Sequence, residues 1–533
     1  MGLLTITQPE SYSPIYNDYI YSLQSNFNPP TTPFPPNYRY VADVYINDSF
    51  ITRTKVFPNV TNYGIFRLDR ICQDYISYDY QNIPTISENF NQNCSSIANI
   101  KLVFFEEYGS LTTGTTIFTA TSITADTLAF YNGAISYLGD LNNNYDPTVF
   151  EGSTRVRGPK TFVNYAHRRY LADPISNSLY GGEFMTYAPR TLKMDYTDTY
   201  WLNIINPVEY NIYQMVVETY DKNNTLISAY TFDNGYFTPS LTGVSMCNDL
   251  ISVGVGPLNL NSVAYSFYSA PIIDQDVSYY KVWTLWNDQI SSPERSSEIF
   301  TINMSNKKFY QKFRFTWLNS LGGFDRFSFE GRNSQNKNVV NSTEYKKLYG
   351  DTSGSYISYG SENRSREVIY QNVENTYTVN SQFITESEAY WLNELYTSPV
   401  VFLEVSEKLD TWVTTENVGG LLKLIFTEPH NLDDSDLVCI IDCNDSSNNQ
   451  YSSVTVEDPF SCLVATNYFN STFGYIFPVG KTPKTLPIII NDKNYTIKQA
   501  ISPRNISVAI NFSLSLDDPK QRGGKSTSLF ISP

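Results

Sequence analysis

Only a few side chains in this sequence have the types and spacing that catalysis or metal binding requires. Histidine occurs at two positions, His167 and His430, which leaves little material for a histidine dyad or a zinc cluster. His167 lies in a basic cluster that also contains Arg155, Arg157, Lys160, Arg168 and Arg169. This cluster could contact an anion or an acidic partner, and ordinary ion pairs with the surplus carboxylates are the simpler interpretation.

A second candidate is a partial calcium loop in residues 140–151. Its possible ligands at positions 1, 3, 5 and 12 of the EF-hand pattern are Asp140, Asn142, Asn144 and Glu151. Position 6 is Tyr145, where the sharp turn requires glycine, and no amphipathic helix flanks the segment. We therefore expect an asparagine-rich surface turn without bound calcium.

Two further motifs match binding sites only in part. Cys439 and Cys443 are four positions apart, which on a strand directs both thiols to one face, but no further metal ligands lie nearby. The letters GGKS near the C-terminus resemble the end of a P-loop, yet Pro519 stands where its first glycine is required. The sequence therefore predicts no catalytic residue, no metal ligand and no cofactor site.

The composition excludes several classes of protein. Lys and Arg number 37 and Asp and Glu 53, so the net charge is 37 − 53 = −16, which opposes general nucleic-acid binding. No stretch approaches about 18 apolar residues, so membrane insertion is not expected. The N-terminal sequence lacks the basic and apolar regions of a signal peptide, which predicts synthesis in the cytoplasm. Six cysteines in 533 residues predict reduced, buried thiols and no disulfide scaffold.

The composition and the alternation of apolar residues predict β-strands, so any functional site would be positioned by strands. Aromatic residues make up 15% of the chain and charged residues 17%, which is typical of β structure. Alternation places Tyr40, Ala42, Val44 and Ile46 on one face of a strand, and Asn47 begins a hairpin turn. We expect an all-β protein with several β-sandwich or barrel domains in tandem.

The clearest hairpin has the sequence KKFYQKFRFTWLNSLGGFDRFSFEG. Phe313, Phe315 and Trp317 share one face of its first strand, and Arg314 and Thr316 take the other. The glycine pair that follows is expected to supply the positive φ angles of the turn.

That glycine pair is Gly322 and Gly323. One short helix is predicted over residues 386–396, since Thr385 and Glu388 have the spacing of a capping box.

Together these patterns predict five segments. They are an N-terminal arm (1–30), two β-sandwich domains (31–150 and 151–305), a C-terminal β-domain (306–409 with 482–533) and an inserted small β-domain (410–481).

Several stretches resemble virion structural proteins of tailed bacteriophages that infect Bacteroidota, including crAss-like phages. They are ITQPESYSPIYNDYIYSL, YRYVADVYIND, WLNSLGGFDRFSF, ITESEAYWLNELYTSPVVFLE and PIIINDKNYTIK. Within the insert, TEPHNLDDSDLVCII followed by YSSVTVEDPFSCLV is similar to a small β-domain of phage tail and neck proteins. Ser435 stands where that pattern prefers glycine.

The resemblance implies a non-enzymatic virion component of the tail, the neck or a portal-proximal ring. Its partners would be copies of itself in a symmetric ring or fibre, together with portal, tail or fibre proteins. No cofactor is implied. The alternative is a glycan-binding or depolymerising protein of the tail tip, which would expose rows of aromatic side chains or pair two carboxylates. A bacterial adhesin is a third hypothesis, weakened by the absence of an export signal.

Overall fold

The fold is described from a computed structural model, in residues 3–9, 11–17, 19–25, 34–78, 80, 88–93, 95–109, 116–118, 122–134, 150–151, 154–155, 172, 182–206, 212–235, 249–268, 270–286, 293–305, 312–346, 366–405, 410–430, 432–444, 446–480, 484–491, 497–499 and 506–514. The protein is all-β, as the sequence predicts. The chain forms two compact units. The first comprises residues 1–306, 318–325 and 407–483, and the second comprises residues 307–317, 326–406 and 484–533.

The first unit begins with a β-sandwich. Its elements, in chain order, are β1 (Leu3–Thr7), β2 (Ser13–Pro14), β3 (Ile20–Ser25), β4 (Arg39–Ile46), β5 (Ser49–Val56), β6 (Tyr63–Arg67), α1 (Asp69–Gln73), β7 (Phe90–Asn93), β8 (Ile97–Gly109), β9 (Thr116–Phe118), β10 (Ile123–Thr124), β11 (Leu128–Tyr131), β12 (Phe150–Glu151) and β13 (Thr154–Arg155). One sheet has the order β1-β3-β6. The other has the order β2-β11-β8-β4-β5, and β9 and β10 also pair with β8. The remaining strands lie outside the sandwich, since β12 and β13 pair with each other and β7 joins a sheet of later strands.

Alternating apolar side chains fill the core between these two sheets. The inward side chains of β4 are Tyr40, Ala42, Val44 and Ile46. The chain returns into β5 through Asn47 and Asp48, whose φ angles of 48° and 60° suit a tight hairpin turn. The predicted face and the predicted turn are both confirmed.

The N-terminal segment belongs to this core and does not form a separate arm. β3 pairs with β1 on one side and with β6 on the other, and Tyr19, Tyr21 and Leu23 are buried in the sandwich. The prediction of an arm over residues 1–30 is therefore wrong for the described part of that segment. The physical reason is the alternation in β3, whose apolar side chains are needed to cover the opposite sheet.

A second group of strands continues the first unit. Its elements are β14 (Thr191–Met194), β15 (Trp201–Asn206), β16 (Ile212–Tyr220), β17 (Leu226–Asp233), β18 (Asp249–Gly254), α2 (Pro257–Phe267), β19 (Tyr279–Trp286), β20 (Glu294–Arg295) and β21 (Phe300–Met304). They form the sheet β14-β21-β19-β16-β17, with β20 on β19, and the sheet β15-β18-β7. Since β7 pairs with β18, the predicted domain boundary at residue 150 is crossed by hydrogen bonds.

The first unit also contains a closed barrel of six strands. They are β27 (Asp410–Val418), β28 (Leu421–Phe426), β29 (Leu437–Ile441), β30 (Gln450–Asp458), β31 (Ser461–Asn467) and β32 (Gly474–Pro478), with a 3-10 turn at Ser446–Asn448. The order around the barrel is β27-β28-β31-β30-β29-β32. Trp412 lies fully buried at its centre, packed close to Gly474. These strands lie within the predicted insert 410–481.

Hydrogen bonds attach the barrel to α2 and to the loop that follows it. The Tyr451 hydroxyl donates to the carbonyl of Asn261 (2.5 Å), and Asn449 Nδ2 donates to Gln275 Oε1 (2.8 Å). The Tyr451 ring also packs against the Tyr265 ring of α2, with 5.5 Å between their centres. Hydrogen bonds and this ring contact together hold the barrel against the rest of the first unit at a defined surface.

The second unit is built on one eight-stranded sheet. Its elements are β22 (Phe313–Leu318), β23 (Phe324–Phe329), β24 (Ser334–Lys346), β25 (Arg366–Asn380), α3 (Glu386–Thr397), β26 (Val401–Val405), β33 (Lys484–Ile490), β34 (Ile497–Gln499) and β35 (Ile506–Leu514). The order is β23-β22-β26-β33-β35-β25-β24, with β34 on β35. The predicted aromatic face of β22 is confirmed, since Phe315 packs on Phe512 and Trp317 on Trp391.

The predicted helix begins as its capping box requires. Thr385 Oγ1 accepts a hydrogen bond from the Glu388 amide (3.2 Å), and the Glu388 carboxylate accepts one from the Thr385 amide (2.7 Å). The helix runs one residue beyond the predicted end, to Thr397. Local signals therefore located this element correctly.

The two turn glycines have different roles. Gly322 has a φ of 90°, as predicted, but Gly323 does not adopt a positive φ. A Cβ atom at Gly323 would lie 2.6 Å from Asn203 Nδ2, so glycine is needed there for a close approach. The prediction that both glycines supply positive φ angles is therefore wrong for Gly323.

Candidate functional site

Many of the residues singled out in the sequence lie outside the described part of the chain. They are Asp140, Asn142, Asn144, Tyr145, Arg157, Lys160, His167, Arg168, Arg169 and Pro519. Two others are placed only by their backbone, Glu151 in β12 and Arg155 in β13. The expectation of a calcium-free surface turn therefore stays a prediction, and both interpretations of the basic cluster, ordinary ion pairs and an acidic partner, stay open.

His430 is a structural residue of the barrel. Its ring lies 5.0 Å from that of Phe426, Nδ1 accepts from the Leu432 amide (3.3 Å), and Nε2 lies 2.9 Å from the Asp458 carbonyl. An amide can only donate, so Nδ1 carries no proton and Nε2 is the donor to the carbonyl. The imidazole thus fixes the loop before β29 against the turn between β30 and β31.

The cysteines Cys439 and Cys443 are buried but do not share a face. Cys443 lies in the barrel core, whereas Cys439 alternates with Val438 and Ile440, which fill that core. β29 ends at Ile441, and a left-handed residue follows it, so the alternation does not extend to Cys443. The prediction of a shared face is wrong. Burial raises the pKa of the Cys439 thiol, which keeps it protonated.

A cluster of buried charges lies within the second unit. Glu404 accepts from Arg326 Nε (2.8 Å) and Thr316 Oγ1 (2.6 Å), and Arg314 Nε lies 3.1 Å from its second oxygen. Burial alone would raise the pKa of Glu404, but Arg326 and Arg314 hold it below its ordinary value. The polar face of β22 is therefore buried, and its charges stabilise the sheet.

The outward side of the first sandwich has a different character. The side chains of β4, β5 and β8 that point away from the core include four cations and two carboxylates, namely Arg39, Arg53, Lys55, Lys101, Asp43 and Glu107. This surface, with Phe50, Phe57 and Phe105, is called the cationic face below. Its excess of 4 − 2 = 2 positive charges contrasts with the net charge of −16 of the whole chain.

Two of the four cations are neutralised within the cationic face. Arg53 Nε donates to Asp43 Oδ1 (2.5 Å), and Lys55 Nζ donates to Glu107 Oε2 (2.5 Å). The third, Arg39, instead stacks its guanidinium 4.8 Å from the centre of the Phe57 ring. Arg39 and Lys101 form no ion pair with any residue that the structure describes.

Large aromatic rings are exposed on the same face. Phe57 is 64% exposed and Phe50 is 55% exposed, and the Phe50 ring packs against Tyr45 at 5.6 Å. Exposed aromatic rings beside unneutralised cations are common where one protein surface contacts another. The cationic face thus has the chemistry of a contact surface for an acidic partner.

The barrel carries the opposite charge. Between Asp410 and Gly480 the sequence contains ten Asp or Glu residues and one Lys, a net charge of 1 − 10 = −9. Five exposed carboxylates lie in the loop between β28 and β29 and at the end of β30, and with Phe460 they form the acidic end of the barrel. They are Glu428, Asp433, Asp434, Glu457 and Asp458.

Backbone hydrogen bonds hold these carboxylates in place. Asp434 Oδ1 accepts from the Val456 amide (2.6 Å), and Asp458 Oδ1 accepts from the Phe460 amide (2.7 Å). The second bond lowers the pKa of Asp458, so its negative charge is favoured. The single barrel cation, Lys423, pairs with Glu457 (2.7 Å). Charge counts for each predicted segment would have identified this end from the sequence.

The tryptophans do not form an exposed row. All six lie in the described part of the chain, and each is buried or half-buried. A sugar-binding surface of stacked indoles, which the glycan-binding alternative would use, is therefore not present on this protein.

The described residues contain neither a cluster of metal ligands nor a helix that could cross a membrane. No group of three or more His, Cys, Asp or Glu side chains there is arranged to hold a metal ion. No helix among the same residues has the length and apolar character needed to cross a membrane.

Comparison with known proteins gives only remote likenesses. No family model matches the chain, and no curated protein does. The chain is similar to the crystal structure of invasin, a bacterial integrin-binding protein, at 9% identity over 93% of this chain and 82% of that one, with a TM-score of 0.19. It is also similar to a Ca2+-stabilized adhesin that helps an Antarctic bacterium to bind ice, at 7% identity over 91% and 97% of the two chains, with a TM-score of 0.16. At these TM-scores neither likeness carries an argument about fold or role.

Proposed function

We propose that this protein is a non-enzymatic structural subunit of a tailed-phage virion, placed in the tail, the neck or a portal-proximal ring. It acts by holding copies of itself and adjoining virion proteins. The observation that carries the proposal is the separation of charge on the first unit, where a cationic face and an acidic barrel end are both exposed. Opposite charges at two surfaces of one chain favour assembly of many copies.

The buried groups are consistent with this role. Glu404, Arg326 and His430 have the chemistry that catalysis often uses, yet each is engaged in bonds that hold strands or loops together. The resemblance of several sequence stretches to phage structural proteins adds the virion as the place of action. The glycan-binding alternative has less support, because no tryptophan is exposed.

The test is to locate the protein in particles. Phage particles are purified from a culture that expresses this chain, and their proteins are identified by mass spectrometry. We expect the chain at a copy number that matches a ring or fibre symmetry, and density for its barrel near the portal or tail in electron micrographs. Its absence from intact particles would contradict the proposal.

A further inference from the structure

We propose that the cationic face of one copy binds the acidic end of the barrel of a second copy. This inference rests on the proposed function and names the partner of one of its surfaces. It is carried by charge complementarity, since the cationic face has an excess of two positive charges and the barrel segment a net charge of −9.

The cationic face has two groups that a partner would satisfy. Arg39 and Lys101 form no ion pair with the described chain. Arg39 lies opposite Glu107 in the pairing of β4 with β8, but the Glu107 carboxylate binds Lys55. Phe57 beside Arg39 leaves 64% of its surface in water. A partner that offers carboxylates around an apolar ring would neutralise the cations and bury the ring together.

The acidic end of the barrel offers that combination. Phe460 is 47% exposed and lies in the turn that joins β30 to β31. The carboxylates of Glu457 and Asp458 directly precede this turn. Asp434 and Asp458 are held by backbone amides, so little side-chain entropy would be lost on binding. Mutual repulsion among these carboxylates would also fall when cations approach.

The proposed contact joins two different surfaces of the same chain. Such a heterologous contact repeats from copy to copy, and it closes into a ring when the rotation between neighbours divides a full turn. A contact of this kind is compatible with a subunit that forms rings or head-to-tail assemblies.

The test uses the full chain and five charge reversals. Arg39→Glu with Lys101→Glu changes the charge of the cationic face from +2 to −2. Glu428→Lys, Asp433→Lys and Glu457→Lys together change the charge of the five barrel-end carboxylate positions from −5 to +1. Self-association is measured by sedimentation velocity at 0.1 M and 1 M NaCl. We expect the face variant and the barrel variant each to have a dissociation constant for self-association about tenfold or more above that of wild type, and high salt to raise the wild-type value similarly.

Recombining the reversals separates a specific contact from a general charge effect. A chain with all five substitutions should associate within about threefold of wild type, because the face is then negative and the barrel end positive. The matched control is Lys193→Glu with Lys222→Glu, at two exposed positions outside the cationic face. It changes the net charge by the same amount as the face variant and should associate like wild type. Circular dichroism of each variant checks that the fold is retained.

Three results would overturn the inference. They are a wild-type chain that stays monomeric at 0.1 M NaCl, reversals that weaken association no more than the control, and a variant with all five reversals that does not recover. A monomeric chain that binds polyglutamate through Arg39 and Lys101 would assign the face to another acidic partner and would also refute it. Each result is independent of whether the chain is found in virions, so the two proposals can fail separately.

Discussion

Replacing Ser435 with glycine should stabilise the barrel. Ser435 has a φ of 69° in the turn before β29, and its amide donates to the Val454 carbonyl (2.9 Å). A residue with a Cβ atom in this left-handed region costs about 1–2 kcal/mol. Glycine removes that cost but adds about 0.4–1 kcal/mol of chain entropy to the unfolded state. The expected net gain is about 0.5–1 kcal/mol.

Hydrogen exchange of the full chain, read by mass spectrometry, measures this gain locally. Peptides that cover β29 and β30 should exchange about two- to fivefold more slowly in Ser435→Gly than in wild type, because slower exchange reports a smaller open population. Ser435→Ala is the matched control. It keeps the Cβ atom and removes the hydroxyl, and we expect it to change the free energy of opening by less than about 0.5 kcal/mol.

The comparison between the two variants decides the question. If glycine slows exchange no more than alanine does, the positive φ is not the source of strain. If glycine accelerates exchange, the serine hydroxyl or the unfolded chain dominates, and the reasoning from backbone conformation is refuted. Peptides from the second unit should be unchanged in both variants and serve as an internal reference.

Three other substitutions test the packing and the buried charges. Gly474→Ala would place a Cβ atom 2.1 Å from the Trp412 ring and should destabilise the barrel by about 2–3 kcal/mol, measured as faster exchange of its peptides. Glu404→Gln should destabilise the second unit by about 3–5 kcal/mol in urea unfolding, whereas Glu457→Gln at an exposed pair should cost under about 1 kcal/mol. Because the pKa of Glu404 is lowered on folding, its contribution is present above about pH 4.3 and is lost as the pH falls through the lowered value, so the acid slope of stability should be shallower in Glu404→Gln. His430→Ala should cost the barrel about 1–3 kcal/mol, seen as lowered protection of β31, since it removes the acceptor of the buried Leu432 amide and the donor to the half-buried Asp458 carbonyl.

Features set by neighbouring residues were predictable from the sequence. The hairpin at Asn47 and the helix cap at Thr385 and Glu388 depend on residues within a few positions of each other, and both predictions are confirmed. The same holds for the buried face of β22 that contains Phe315 and Trp317. Periodicity and capping chemistry report local structure well.

Features that depend on distant partners were not predictable in the same way. The pairing of β7 with β18 joins segments about 160 residues apart, and no local pattern indicates it. Likewise, Arg314 in an alternating strand reads as a solvated side chain until Glu404 is placed beside it. The cationic face could not be predicted, because its charges come together only when β5 and β8 pair with β4. The negative charge of the barrel segment, by contrast, can be counted from the sequence alone.

The antiparallel pairing of β27 with β32 places Asp410 opposite Ile476, so the chain leaves the barrel beside the point where it entered. A segment with adjoining ends behaves as an exchangeable cassette, because its removal or replacement leaves only a short gap to bridge. Recombination between related genes could therefore replace this segment with another one without changing the strand order of the surrounding sheets. The same property makes this site suitable for grafting a reporter or an epitope onto the protein.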